Sequence, residues 1–434
     1  MLMVGCVTAP DDGVRGLQTH IEDAGDYEPA WGEERDDTEV QRRTEQLLAE
    51  PLGMEQAVEV GVLNHPGVQA DLRRIDVEEG RLRQQARIGD PEFEMEAYVS
   101  PPGVGVERWE PGVLFDVTGL FDRAAQVAAA DAGVEAAQAE AAGQIVEFIT
   151  DVRHRWVDHA AATEQLERAE ALAEAAQALA EAARLHHEAG NLADDELRSI
   201  EADTTAAKLE VITARERATR TGYALHEVLG IDPDRQDWSV EAGLPELPQQ
   251  PHRAGEQADE IRQRHLEANR LAQRGEQLDA QQRIERRRGW LPQLGVGAVA
   301  EIEPGAVEVG PALRMNLPLF DRRVRQRQAL DAEIAQTEYQ RREAVRAVEL
   351  AIRDVDERLE RTHRVAEKYQ TELLPIRGQL VDETLRQYNA MTVSALELLE
   401  VKHKQLRAEY DEVDSRRAYW RAYVDYQGLV AGWR

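Results

Sequence analysis

From Asp122 to about Ala189 the sequence holds a helical pattern without proline, and its only interior glycines are Gly133 and Gly143. At ~1.5 Å per residue such a helix is on the order of 100 Å long. Compact globular domains do not contain helices of that length, so this one belongs in a coiled coil or a tube. A second long stretch agrees. Val345, Val348, Ile352, Val355, Leu359, Thr362, Ala366, Tyr369, Leu373, Ile376 and Leu380 follow a strict 3,4 spacing. That spacing specifies left-handed knobs-into-holes packing. The first stretch carries Ala169, Leu172, Ala176, Leu179, Ala183 and His186 on the same spacing, with alanines that let helices approach closely. The composition fits, being rich in Ala, Glu, Arg, Gln and Leu with only 5% aromatics.

A rod of helices would explain the heptads but not four short runs of period two. In Glu92–Val99 the odd positions (Phe93, Met95, Ala97, Val99) are apolar and the even ones acidic or Tyr. After Pro101-Pro102-Gly103 a second run sets Val113, Phe115 and Val117 against Leu114, Asp116 and Thr118. A third sets Leu294, Val296, Ala298, Ala300 and Ile302 against Gln293, Gly295, Gly297, Glu301 and Glu303. The fourth sets Val307, Val309, Leu313, Met315 and Leu317 against Glu308, Gly310, Arg314 and Asn316. Such alternation marks strands with one apolar and one polar face.

The order helix–strand–strand–long helix–break–helix occurs twice. Phe121-Asp122-Arg123 recurs as Phe320-Asp321-Arg322, and His187-Glu188-Ala189-Gly190 corresponds to Tyr388-Asn389-Ala390-Met391. The chain therefore divides into residues 1–5, an acidic N-terminal arm over 6–53, and a first repeat over 54–230 with strands near 91–100 and 109–119. A Pro-rich linker over 231–253 follows. The second repeat covers 254–434, with strands near 291–303 and 306–318. The helix opened by Pro51-Leu52-Gly53-Met54 is expected to continue to about Gly89.

The 434 residues carry 52 Lys+Arg against 83 Asp+Glu, a net charge of −31, and only four of the bases are Lys. That excess of carboxylates fits a protein kept hydrated in concentrated salt, and it argues against a nucleic-acid partner, which needs clustered cations. Arg286-Arg287-Arg288 is the nearest thing to a basic run. A single cysteine excludes a disulfide framework and a Cys-based zinc site. There is no Gly-x-x-x-x-Gly-Lys loop, no Gly-x-Ser-x-Gly and no His-Glu-x-x-His, so no catalytic residue, metal ligand or cofactor is expected. His186-His187-Glu188 is the best metal-like cluster, and it reads as solvated or packed histidines. His154 and His159 read as structural. No run of 18 apolar residues exists, so any passage through a membrane must be made by strands.

Met3-Val4-Gly5-Cys6 resembles the lipobox of bacterial lipoproteins, which makes Cys6 the expected lipidation site. Five residues are too few for a signal peptide, so residues 1–5 read as the remainder of one. With the duplicated units and the long helices, the whole chain resembles the TolC-like outer membrane efflux factors. Local sequence agrees. Ala57 to Pro66 resembles the family's amino-terminal "A…AL…NP" helix, and Leu317-Pro318-Leu319-Phe320-Asp321 its strand-to-helix junction. Leu373-Leu374-Pro375 resembles its "LLP", and Tyr388-Asn389-Ala390-Met391 with Ser394 to Glu400 its "YxxG…s…LL" tip, Met391 replacing the usual Gly that the first repeat keeps as Gly190.

The resemblance implies a mainly α fold with a membrane β-barrel. Three copies would supply a 12-stranded barrel on a long α-helical tube, with the linker and the arm around the tube's middle. Apolar strand residues would face lipid, while Glu92, Glu94, Glu96, Asp116, Glu301, Glu303 and Glu308 would face water. Arg286-Arg287-Arg288-Gly289-Trp290 would meet lipid phosphates and the interface, or remain a solvated run. The implied protein is a passive exit duct for drugs or metal ions, lipid-anchored in the outer membrane and driven by an inner-membrane pump through a periplasmic adaptor. Gly190, Asn191, Tyr388, Met391 and Ser394 would contact the adaptor, and Glu397 and Glu400 would form the gate. The alternative is a lipid-anchored periplasmic coiled-coil protein without channel activity; an enzyme is the least favoured reading.

Overall fold

The computed structural model describes residues 37–85, 87, 89–99, 106–235, 237–290, 292–303, 305–316 and 323–433. Cys6, the arm before residue 37, the Pro101-Pro102-Gly103 turn and the junction 317–322 lie outside the described residues. The chain divides into two compact units. Of the described residues, the first takes Leu72–Ala141 and Leu266–Arg346; the second takes 37–71, Ala142–His265 and 347–433.

Three helices lead in: α1 (Asp37–Leu48), α2 (Met54–Asn64) and α3 (Pro66–Gln85). Helix α1 lies in what reads as an irregular arm. Its signal is the spacing of Val40, Thr44 and Leu48, which are buried at every fourth position among charged residues. The single helix expected up to Gly89 is two helices. Pro66 has no N–H to continue a ladder, and His65 before it is extended (φ −70°, ψ 120°), as a residue preceding proline prefers.

Strands β1 (Glu92–Val99) and β2 (Val106–Asp116) precede the 71-residue helix α4 (Thr118–Glu188) and the helix α5 (Asp194–Leu229). Strand β2 stops at Asp116 rather than continuing to 119. The Asp116 side chain accepts the Thr118 N–H at 2.8 Å, turning the chain into α4. Then come α6 (Ala258–Arg264), α7 (Leu266–Arg288), β3 (Gln293–Glu303) and β4 (Ala306–Asn316). Helix α8 (Val324–Lys368), a π-turn (Tyr369–Leu373), α9 (Leu374–Asn389) and α10 (Ala395–Val430) complete the chain.

The first unit holds the sheet, antiparallel in the order β1-β2-β3-β4. The second unit is helical, with Trp156, Tyr419, Ile145, Ile149, Leu172, Leu225, Leu229 and Leu359 fully buried. Its alanine seam is closed as the spacing predicts: Ala169, Ala176 and Ala183 are buried, and the Thr204 hydroxyl of α5 donates to Ala176 O at 3.0 Å. The linker is laid along this unit by its carbonyls. Leu52 N donates to Ser239 O at 2.8 Å, Trp420 Nε1 to Pro245 O at 3.1 Å, and Arg416 to Leu244 O at 3.0 Å.

One correction concerns the seam on α8 and α9. Val348, Ile352, Val355, Leu359 and Ala366 are buried as the heptads require. Past the π-turn the buried face moves by one residue. Arg377 and Val381 are half-buried and Thr384 is buried, while Ile376 and Leu380 are 60% and 39% exposed. Pro375 is the cause. It has no N–H for the carbonyl of Thr371 and its ring crowds that carbonyl. The preceding turn widens, so that the Leu374 N–H reaches Tyr369 O five residues back.

Candidate functional site

The residues the sequence singles out fall at three places: the sheet, two helical hairpin tips and the first turns of α10. In the sheet the register decides which side chains share a face. Phe93 lies opposite Val113, Val113 opposite Ala298, and Ala298 opposite Pro311. One row along, Phe115 lies opposite Val296 and Val296 opposite Leu313. Ala97, Trp109, Ile302 and Val307 form another row. This whole face is apolar and uncovered: Phe93 is 65%, Leu313 67% and Val309 73% exposed. Leaving so much contiguous apolar area in water is unfavourable, and such patches mark contact with lipid or protein.

The opposite face is charged. Glu96 lies opposite Glu110 and Glu301 opposite Glu308, and the Trp109–Ile302 register sets Glu110 beside Glu301, so four glutamates line up across four strands. Arg108 tempers this row. It pairs with Glu110 at 2.8 Å and Glu301 at 2.9 Å and lies 4.3 Å over the Tyr98 ring, whose hydroxyl donates to Glu96 at 2.7 Å. Arg314 pairs with Glu92 at 2.9 Å and also with Glu94. Sequence reasoning missed Glu110 and Arg108. Extending the period of two backward from Leu114 and Gly112 would have found both. Gly297 is required where β2 and β3 cross closely, because a Cβ there would collide with Val113 O.

The arginine run before β3 is not simply solvated. Arg288 Nε donates to Asp122 Oδ2 at 2.9 Å, and Arg287 pairs with Asp122 Oδ1 at 3.3 Å and also donates to Phe121 O. The Asp122 side chain is only 1% exposed, so two of the three arginines fasten the start of α4 to the end of α7. Arg286 and Trp290 are exposed.

The two tips share one backbone design. At the end of α4 Gly190 N donates to His187 O at 2.8 Å and Asn191 N to His186 O at 2.9 Å. At the end of α9 Met391 N donates to Tyr388 O and Thr392 N to Gln387 O, both at 2.9 Å. Each pair is the Schellman closure of a helix end, which places its pivot residue in the left-handed region. Gly190 has φ 77° and Met391 φ 61°. Replacement of the usual glycine therefore leaves the turn intact but strained. Met391→Gly is expected to stabilise the second tip by ~1 kcal/mol, seen as slower amide exchange at Met391 and Thr392.

Ser394 is the N-cap of α10, its hydroxyl accepting the Glu397 N–H at 3.2 Å. Gly190, Asn191, Tyr388 and Met391 are exposed, Met391 by 93%. His187 is engaged within its own tip, Nδ1 with Leu192 O at 2.9 Å and Nε2 with Asp194 at 3.3 Å. His154 meets Asp425 at 2.8 Å, and His159 meets Thr221 at 3.2 Å with its pKa lowered by burial.

Glu397 and Glu400 are both exposed on the first turns of α10. They differ in one respect that spacing does not reveal: Lys404 pairs with Glu400 at 2.5 Å. Among the described residues no group of three or more potential ligands is gathered for a metal ion, and no helix is long and apolar enough to cross a membrane.

No family model matches the sequence, and no curated protein does. Solved structures do match the fold. The outer membrane protein VceC of Vibrio cholerae superposes with a TM-score of 0.71 at 16% identity, over 88% of this chain and 96% of that one. The CmeC outer membrane channel of Campylobacter jejuni gives 0.72 at 12% identity, over 88% and 86%. CusC, described in connection with transmembrane channel formation, gives 0.64 at 12% identity, over 88% and 92%. The mostly helical chain with its small antiparallel sheet thus has the fold of the TolC-like outer membrane efflux factors.

Proposed function

We propose that this protein is an outer membrane channel of an efflux system, a passive duct through which an inner-membrane pump and an adaptor expel small solutes. The observation that carries this reading is the sheet. Its apolar face is exposed, its other face is charged, and within the described residues β1 and β4 each have one unpaired edge. Unpaired strand edges are untenable in lipid unless a barrel closes them. Three copies, pairing β4 of one with β1 of the next, give twelve strands with apolar residues toward lipid and the glutamate row toward the lumen. The test is the mass of the detergent-solubilised protein by native mass spectrometry. Trimers support the barrel; a monomeric, detergent-free elongated species supports the coiled-coil alternative.

The tips and α10 supply the periplasmic end in this reading. Gly190, Asn191, Tyr388, Met391 and Ser394 are the adaptor-contact residues, with Met391 as an apolar knob kept at the expense of backbone strain. Cys6 carries the lipid anchor. Glu397 and Glu400 gather six carboxylates about a threefold axis and attract cations. Glu397→Gln with Glu400→Gln is expected to lower cation preference and relieve block by trivalent cations in single-channel recordings. Since Lys404 already offsets Glu400, Glu397→Gln alone should give most of the effect.

A further inference from the structure

The π-turn between α8 and α9 divides one seam into two incompatible settings. The sequence continues the heptad spacing through Leu373, Ile376 and Leu380, three apolar residues that an uninterrupted α-helix would turn toward α10. The structure turns Leu374, Arg377, Val381 and Thr384 inward instead, and leaves Ile376 and Leu380 exposed. That setting is locally frustrated. Arg377 Nε is buried without a hydrogen-bond partner, and the neighbouring seam position is Gly378, which has no side chain to pack.

The opposite wall is fixed. Glu412 of α10 is buried and accepts from Arg416 at 2.7 Å, and Arg416 in turn pairs with Glu164 of α4 at 2.5 Å. Gln370, inside the π-turn, donates to Glu412 at 2.9 Å. Glu412 therefore reports the register of the turn above it. Counting from that bond through the hairpin sets Leu374 level with Ala408, Arg377 with Gln405 and Val381 with Val401. Ala408 is buried, and Gln405 and Val401 are half-buried, as this count requires.

We infer that the π-turn is a register switch. Helix α9 has two rotational settings against α10, one residue apart. In the setting seen here the turn is π and Val381 faces Val401. In the other the turn is α-helical, Ile376 and Leu380 enter the seam, and Arg377 is released to solvent. A gain of apolar burial and the return of the buried Arg377 Nε to water favour the second setting. The missing N–H and ring of Pro375 favour the first. These opposed contributions make the pair bistable, and a change of setting rotates the face that the second tip presents. The switch belongs to the hairpin itself and does not depend on the chain acting as a channel.

The test is oxidative cross-linking in the full-length Cys6→Ser chain, read by mass spectrometry of the linked peptides. Val381→Cys with Val401→Cys should link at least tenfold faster than Leu380→Cys with Val401→Cys, and the second pair should still link to completion. Pro375→Ala should shift the ratio of the two rates at least tenfold toward the 380–401 pair. Deleting Thr371 shortens the turn to an α-helical one while keeping Val381 inward, and should abolish the 380–401 link. Failure of the 380–401 pair to link in the otherwise unaltered chain, or an unchanged ratio in Pro375→Ala, would overturn the switch. If Pro375→Ala does not fold, the two pairs in the unaltered chain decide the matter alone.

Discussion

Leu313→Arg is expected to abolish stable insertion of the protein into membranes. Leu313 stands in the row with Val296 and Phe115, on the face where apolar side chains are left uncovered. An arginine on the lipid face near the midplane of a barrel costs ~2–4 kcal/mol, and the cost recurs in every copy that shares the barrel. Phe93→Arg, three strands away on the same face, should behave alike. The control belongs on the charged face, and the structure selects it. Glu94 is unsuitable because Arg314 already pairs with it, and a second arginine there would repel the first. Glu308→Lys instead places a cation beside Glu301 and should insert normally. Flotation of the variants with lipid vesicles measures the difference. Equal insertion of all three would mean that the apolar face does not meet lipid.

Arg416→Met should destabilise the helical unit by ~3–5 kcal/mol, the usual consequence of removing one partner from a buried ionic group. Arg416 lies between Glu164 and Glu412, and the three side chains are exposed by only 11%, 11% and 7%. Burial lowers the pKa of the guanidinium, but the Glu412 hydrogen bond and the charges of both carboxylates outweigh it and raise the pKa. Without the cation, two carboxylates remain with little water to solvate them. Adding Glu412→Gln to Arg416→Met should recover a substantial part of the loss, because Gln370 can still reach the amide oxygen. Chemical denaturation of these two variants and of Glu412→Gln alone gives the coupling directly.

Much of this architecture was legible because its signals are periodic. A period of two with unlike faces identified the strands, and heptads identified the long helices. What stayed hidden was decided by single atoms or by contacts distant in sequence. The missing N–H of Pro375 moved a seam that the heptads carry straight on to Leu380. Asp122, 165 residues before Arg287, turned a basic run into a fastening. Met391 reads as a broken glycine motif, yet the Schellman hydrogen bonds hold it at φ 61°. At the expected gate, Glu397 and Glu400 share a helix face by spacing, but only the structure sets Lys404 against one of them. Glu110 and Arg108 escaped notice because Pro111, a residue that strand interiors usually exclude, separates them from the alternation that begins at Val113.

The central claim is that assembled copies of this chain enclose a water-filled path through a membrane. Recording from the purified protein in planar lipid bilayers tests it most directly. Discrete conductance steps with a preference for cations, reduced by Glu397→Gln, are the predicted result. A protein that assembles and binds lipid vesicles yet gives no conductance steps under any voltage would contradict it.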